Sequence, residues 1–219
     1  MKISEYISKD VNALTLETSF LEAKTVFNEM PYSHLPIVEN DQLVGSISES
    51  DVYTTENELT EIGNYRHLFD HFHIQVTDNW IDILKMFAAS ETNILPVLSE
   101  KNKYLGFYEL TDILHFFNDT PLLSDDGFFL VIEKGIKDYS FSEVAQIVES
   151  NDAKLIGIFI SGYKNDLVRI TLKIASIEIN DIIQSFRRYG YKLLTKHKED
   201  LLLEELKNRS DYLQKYLNI

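Results

Sequence analysis

The pattern of apolar and polar positions over the first 120 residues is written twice. His34-Leu35-Pro36-Ile37-Val38 returns as Ile94-Leu95-Pro96-Val97-Leu98, an offset of 60, and Leu43-Val44-Gly45 returns as Tyr104-Leu105-Gly106, an offset of 61 that Asp51 and Asp112 also keep. A repeat fixes architecture first, because each copy is one supersecondary unit that must bury its apolar face against a neighbour. In the first copy Leu14 and Leu16 alternate as a short strand, and Ser19 with Glu22 forms a capping box. Phe20, Ala23, Phe27 and Met30 then share a helical face that ends before Pro31. Leu35 to Val38 and Leu43 to Ile47 read as strands around an Asn40-Asp41 turn, and a helix starts near Ser48. The second copy repeats this with Ile74 and Val76, a cap at Asn79, a helix lined by Trp80, Ile83, Leu84 and Phe87, two strands, and a helix from Leu110 to Phe117. Pro36, Pro96, Gly45 and Gly106 read as fold residues that start or bend strands.

Beyond Pro121 the period changes at Ser124-Asp125-Asp126-Gly127. Phe128 to Ile132 is a continuous apolar strand, and Ser140 with Glu143 caps a helix with Phe141, Val144, Ala145 and Val148 on one face. Lys154 to Ile160 is a strand, a turn at residues 161–165 follows, and Val168 to Ile174 alternates with Arg169, Thr171 and Lys173. Ile179, Ile182, Ile183 and Phe186 predict a helix closed by Gly190, before a strand at Tyr191 to Thr195. The order is βαββαβ, a ferredoxin-like split βαβ. Residues 197–219 read as one amphipathic helix with Leu202, Leu206, Leu213 and Leu217 on neighbouring faces, whose default cover is its own domain. The expected domains are 1–60, 61–120, 124–196 and the helix 197–219 in an α/β (α+β) protein.

Composition narrows the function. A net charge of −14 repels phosphate backbones and anionic lipid, so neither nucleic acid nor membrane is an expected partner. No run approaches a membrane span, no apolar signal core opens the chain, and there are 0 Cys, so a cytoplasmic protein is expected. Cys nucleophiles, a Gly-x-Ser-x-Gly elbow, a phosphate-cradling Gly-rich loop and His-Glu-x-x-His are all missing, which argues against an enzyme.

The series of strand, helix, LPIV strand, LVG strand and a helix opened by Gly-x-x-Ser-x-x-Asp resembles the CBS domain, twice over, as in a Bateman module. The following βαββαβ unit resembles an ACT domain. That architecture is similar to the acetoin-utilisation protein B type of CBS protein. The resemblance implies an adenine nucleotide in the cleft between the copies, its ribose held by the Asp of the motif and its phosphate by the Ser. Gly45-Ser46-Ile47-Ser48-Glu49-Ser50-Asp51 matches fully, making Asp51 the ribose candidate and Ser48 the phosphate candidate. Adenine contacts fall near Asn12 and Ala13. A carboxylate accepts two hydroxyls at once, which suits a ribose; the plain alternative for Ser48 and Asp51 is helix capping. Gly106-Phe107-Tyr108-Glu109-Leu110-Thr111-Asp112 keeps Asp112 but sets Glu109 where Ser or Thr belongs. Glu109 would repel a phosphate, and Thr111 substitutes only if the helix start rotates by one residue. One good site, around Asp51, is therefore expected. The charge favours AMP-like or uncharged adenosyl ligands over ATP, with ADP and S-adenosylmethionine as further candidates.

The connecting segment holds Arg66, His67, Asp70, His71 and His73. His67 and His71 would share a face if helical, but zinc sites combine three or four placed ligands and this spacing is unspecific, so no metal is expected. Arg66 is a charge-assisted donor candidate for a ligand phosphate. The expected protein is a non-enzymatic regulator needing no cofactor, sensing an adenosyl ligand and acting on a protein partner, and the CBS and ACT resemblances imply a homodimer. The alternative is an interaction scaffold whose CBS sites no longer bind ligand. The turn 133–138 lacks the ACT form Asp-x-Pro-Gly, so assembly rather than amino-acid binding is expected there.

Overall fold

The computed structural model describes residues 3–9, 13–176 and 179–195. Two compact units divide at Asp119/Thr120.

In the first unit, α1 (Phe20–Glu29) begins at the capping box: Ser19 Oγ accepts from Glu22 N at 3.2 Å, and the Glu22 carboxylate accepts from Ser19 N at 2.8 Å. Phe20, Ala23 and Phe27 face the core, and Met30 leaves the helical region ahead of Pro31. β1 (His34–Glu39) and β2 (Gln42–Ser48) form a hairpin, with Asn40 and Asp41 at φ 50 and 62, the left-handed pair of a two-residue turn. α2 (Glu49–Thr54) follows. The second copy runs β3 (Ile74–Gln75), α3 (Trp80–Ser90), β4 (Ile94–Leu98), β5 (Tyr104–Glu109) and α4 (Leu110–Asn118). Both hairpins shift register at the same place, Ile37/Val38 and Val97/Leu98. The strand expected at Leu14 to Leu16 shrinks to one parallel bridge, Leu14 to Ile37, equivalent to β3 against β4.

The copies are interlocked. Ser8, ahead of the first copy, bridges to Phe107 in β5, and Asp70, ahead of the second, bridges to Ser46 in β2. These crossings explain the two glycines. A Cβ at Gly106, whose φ is +140, would strike the Ser8 carbonyl oxygen and lie 2.8 Å from Ile7 Cγ2; at Gly45 it would lie 3.0 Å from the Asp70 carbonyl. Ile94 and Phe107 complete the core of the first copy, so neither copy buries its apolar face alone.

The second unit opens with α5 (Pro121–Ser124), where a plain boundary was expected; Pro121 sits at the first helical position, which has no use for its missing N–H. β6 (Phe128–Gly135), α6 (Phe141–Glu149), β7 (Lys154–Lys164), β8 (Leu167–Ala175), α7 (Asn180–Arg188) and β9 (Lys192–Leu193) follow. The sheet order β7-β8-β6-β9, antiparallel throughout, is ferredoxin-like. Leu130, Ile132, Val168, Ile170, Leu172 and Ile174 face the helices. Three readings change. β7 runs on to Lys164, so the turn is at Asn165-Asp166. On α6 Ile147 is buried and Phe141 exposed, because the buried stripe starts one turn into the helix. Ser140 Oγ accepts from Glu143 N, but the Glu143 carboxylate turns away to Lys134 Nζ (2.6 Å) and Tyr191 OH (2.7 Å), so the reciprocal half of the box is not made. The helix expected at 197–219 lies outside the described residues.

Candidate functional site

The first copy brings Ser48 and Asp51 together at the start of α2. Ser48 Oγ accepts from Asp51 N at 3.1 Å and donates to Asp51 Oδ2 at 2.6 Å, while Ser50 Oγ lies 2.9 Å from Ser48 Oγ. Ser48 caps the helix, as its type favours, and the Asp51 carboxylate in the first turn reaches back to the Ser48 hydroxyl rather than to a backbone N–H. This fixes the Asp51 carboxylate through one oxygen and leaves Oδ1 without a hydrogen bond among the described residues. A carboxylate held in this way is oriented for hydroxyl donors. Ala13 is half-buried beside Leu14, whose N–H donates to the Pro36 carbonyl at 2.8 Å; Asn12 lies outside the described residues.

The second copy builds the same corner differently. Glu109 stands at the cap of α4 without a side-chain capping bond, and its Oε1 accepts from Tyr32 OH of the first copy at 2.9 Å. Tyr32 is buried, edge-on to Phe107 at 5.5 Å. The residue that departs from the motif is thus a strut between the copies. The helix start is not rotated: Thr111 is exposed in the first turn, where Ser50 stands in the first copy, and Asp112 occupies the place of Asp51.

A second strut lies where the hairpins meet. Ser33 N and Oγ donate to Asn93 Oδ1 at 2.8 and 3.0 Å, Asn93 N donates back to Ser33 Oγ at 3.0 Å, and Asn93 Nδ2 donates to the Pro31 carbonyl at 2.6 Å. Ser33 and Asn93 are the same position of the repeat.

The connecting segment differs from the helical alternative considered for its histidines. Ile62–Leu68 is a 3-10 stretch with a kink at Tyr65, and Phe69 is extended, so His67 and His71 share no helical face. Extension is imposed by the Asp70–Ser46 bridge, which aligns the segment along β2. Arg66, His67, His71 and His73 are exposed. Among the described residues no three His, Asp or Glu side chains gather to hold a metal ion.

Spacing passes over His34. It is the Cα partner of Ser48 across β1–β2, so the two side chains share one face of the hairpin. Its Nδ1 is 2.9 Å from Ser33 Oγ, its Nε2 is 3.4 Å from Asp70 Oδ2, and the Phe72 ring meets it edge-on at 5.2 Å. Burial holds the imidazole below its ordinary range, and the Asp70 and Asp51 carboxylates partly offset that. The available signal was the one change of chemical character in the repeated motif, His34 against an aliphatic Ile94.

Residues 3–56 match the sequence profile of the CBS domain, and the second copy repeats that fold element by element. The N-terminal unit holds one matched CBS domain and a second copy of the same fold. Over the pair the chain is 28% identical across 114 residues to inosine-5'-monophosphate dehydrogenase of Methanocaldococcus jannaschii, covering 52% of this chain and 23% of that protein. It is 25% identical across 116 residues to an uncharacterized protein of the same organism, covering 52% and 43%. The matched stretch therefore spans less than half of either relative. Among solved structures, a CBS domain pair/ACT domain protein from Thermotoga maritima is 17% identical with a TM-score of 0.48, over 53% of this chain and 96% of that one. CBSX2 in complex with AMP is 15% identical with a TM-score of 0.45, over 52% and 94%. The first unit is followed here by the ferredoxin-like second unit. No helix among the described residues is long and apolar enough to cross a membrane.

Proposed function

We propose that the CBS pair binds one adenine nucleotide, AMP-like, in the cleft of the first copy, and that the protein is a non-enzymatic, homodimeric regulator whose ACT-like unit serves assembly. Asp51 takes the ribose hydroxyls, Ser48 lies on the phosphate side, Asn12 and Ala13 border the adenine, and Arg66 is a further donor to the phosphate. The observation that carries this reading is the complete Gly45-x-x-Ser48-x-x-Asp51 motif, with Asp51 oriented by Ser48 and one carboxylate oxygen still open. The corresponding corner at Thr111 and Asp112 is a poor second site, because the Glu109 carboxylate, engaged by Tyr32, would face the phosphate.

Glu109 also favours a second reading, a scaffold in which packing between the copies has replaced ligand binding. Titration with AMP, ADP, ATP, S-adenosylmethionine and NAD, followed by thermal unfolding, separates the two. A ligand that binds only the folded state adds about 2.7 kcal/mol at a concentration 100 times its Kd. Asp51→Ala should weaken AMP roughly tenfold or more, as expected when hydrogen bonds to a charged group are lost. An Asp51→Ala variant that binds AMP as well as the parent does would refute the assignment, and no shift with any ligand would favour the scaffold.

A further inference from the structure

We propose that His34 takes up a proton when an anionic ligand group enters the first-copy cleft, so that the site selects a phosphate together with a proton. The inference rests on the nucleotide reading and adds a residue and a charge state to it. Thr92 Oγ1 donates to the Ile94 carbonyl at 2.7 Å, so its proton is committed. Ser33 Oγ lies 3.0 Å from Asn93 Oδ1, 3.1 Å from Thr92 Oγ1 and 2.9 Å from His34 Nδ1, and its single proton serves one of them at a time. Given to His34 Nδ1, it leaves the hydrogen of the neutral ring on Nε2, 3.4 Å from Asp70 Oδ2; given to Asn93, it leaves Nδ1 to donate to Ser33 Oγ. The imidazolium donates from both nitrogens at once, to Ser33 Oγ and to Asp70, where the contact becomes an ion pair.

The groups facing the ring from each element around it are Asp51 on α2, Asp70 and Phe72 on the connecting segment, and Ser33 at the head of β1. Two carboxylates favour the cation. Burial, with only 12% of the side chain exposed, opposes it. The balance falls on the neutral side in the free protein. A phosphate against Ser48, the cross-strand partner of His34, adds negative charge on the face the imidazole shares, and tips the balance to the cation. Because Ser33 is also the clasp to Asn93, the proton enters at the junction of the two copies.

The test is calorimetric titration of the full chain with AMP at pH 7 in two buffers of different ionisation enthalpy, which counts protons taken up per AMP bound. The parent should take up a large fraction of one proton more than His34→Gln, and only the parent should show this extra weakening of affinity, up to about tenfold per pH unit, as pH rises from 6 to 8. The second ionisation of AMP, near pH 6, titrates in both proteins and cancels in the comparison. Equal uptake in parent and His34→Gln, with AMP binding still abolished by Asp51→Ala, overturns this inference and leaves the site standing. No AMP binding to the parent overturns both. If His34→Gln does not unfold cooperatively, Asp70→Asn replaces it, and there too unchanged uptake is the refuting result.

Discussion

Replacing Asn93 by Ala tests whether the two copies stabilise one another through polar contacts at their junction. The change removes the acceptor of Ser33 N (2.8 Å) and Ser33 Oγ (3.0 Å), both partly buried, and the exposed donor to the Pro31 carbonyl. Each partly buried bond contributes about 1 kcal/mol net, and leaving the Ser33 amide without a partner costs more than losing both sides of a bond. Water replaces the exposed contact at little cost. The expected loss is therefore about 2 kcal/mol. The one tryptophan of the chain, Trp80, lies on α3 and stacks on Phe117 at 5.0 Å, so its fluorescence during urea unfolding reports the N-terminal unit alone. The midpoint should fall with an unchanged slope. A loss below about 0.5 kcal/mol, the range of an inconsequential surface change, would show that apolar packing through Ile94 and Phe107 holds the copies together without the clasp.

The crossing of the N-terminal segment predicts an asymmetry between equivalent glycines. Gly106→Ala demands a strained φ of +140 and a collision with the Ser8 carbonyl, and should cost more than about 2 kcal/mol, whereas Gly45→Ala meets the Asp70 carbonyl at 3.0 Å and should cost clearly less. Equal losses by Trp80 fluorescence would refute this account. In the second unit, hydrogen bonds from Lys134 and Tyr191 hold Glu143 below its ordinary pKa of 4.5. A lowered folded value means that the contribution is present above about pH 4.5 and is lost as pH falls through the folded value. Glu143→Gln should flatten the acid limb of stability measured by circular dichroism, and an unchanged limb would show that the network is not linked to folding.

Much of the fold was legible because local signals and long-range pairing agree. The Ser19 capping box, the Asn79 cap and the Asn40-Asp41 turn are chemistry between near neighbours in sequence, and they form where spacing puts them. The repeat offset identified equivalent corners, and so marked Ser48, Asp51, Glu109 and Asp112 as counterparts. What failed was conditional on partners far away. Glu143 left its box for Lys134 and Tyr191, and the condition that would have set His67 and His71 on one helical face is not met, because the chain leaves a 3-10 stretch after Leu68 and pairs Asp70 with Ser46.

Periodicity, caps, turns and a repeat are properties of a short window or of a window compared with itself, so the chain alone determined two similar units, a βαββαβ unit and one intact Gly-x-x-Ser-x-x-Asp corner. Tertiary structure decided what occupies the space around those corners. Only the packed chain brings Tyr32 to Glu109, Ser33 to Asn93, and Asp70 and Phe72 around His34, because each contact depends on how one copy crosses the other. The charge environment of His34 belongs to that second class: burial and two carboxylates from separate segments set it, and neither effect exists until the segments meet.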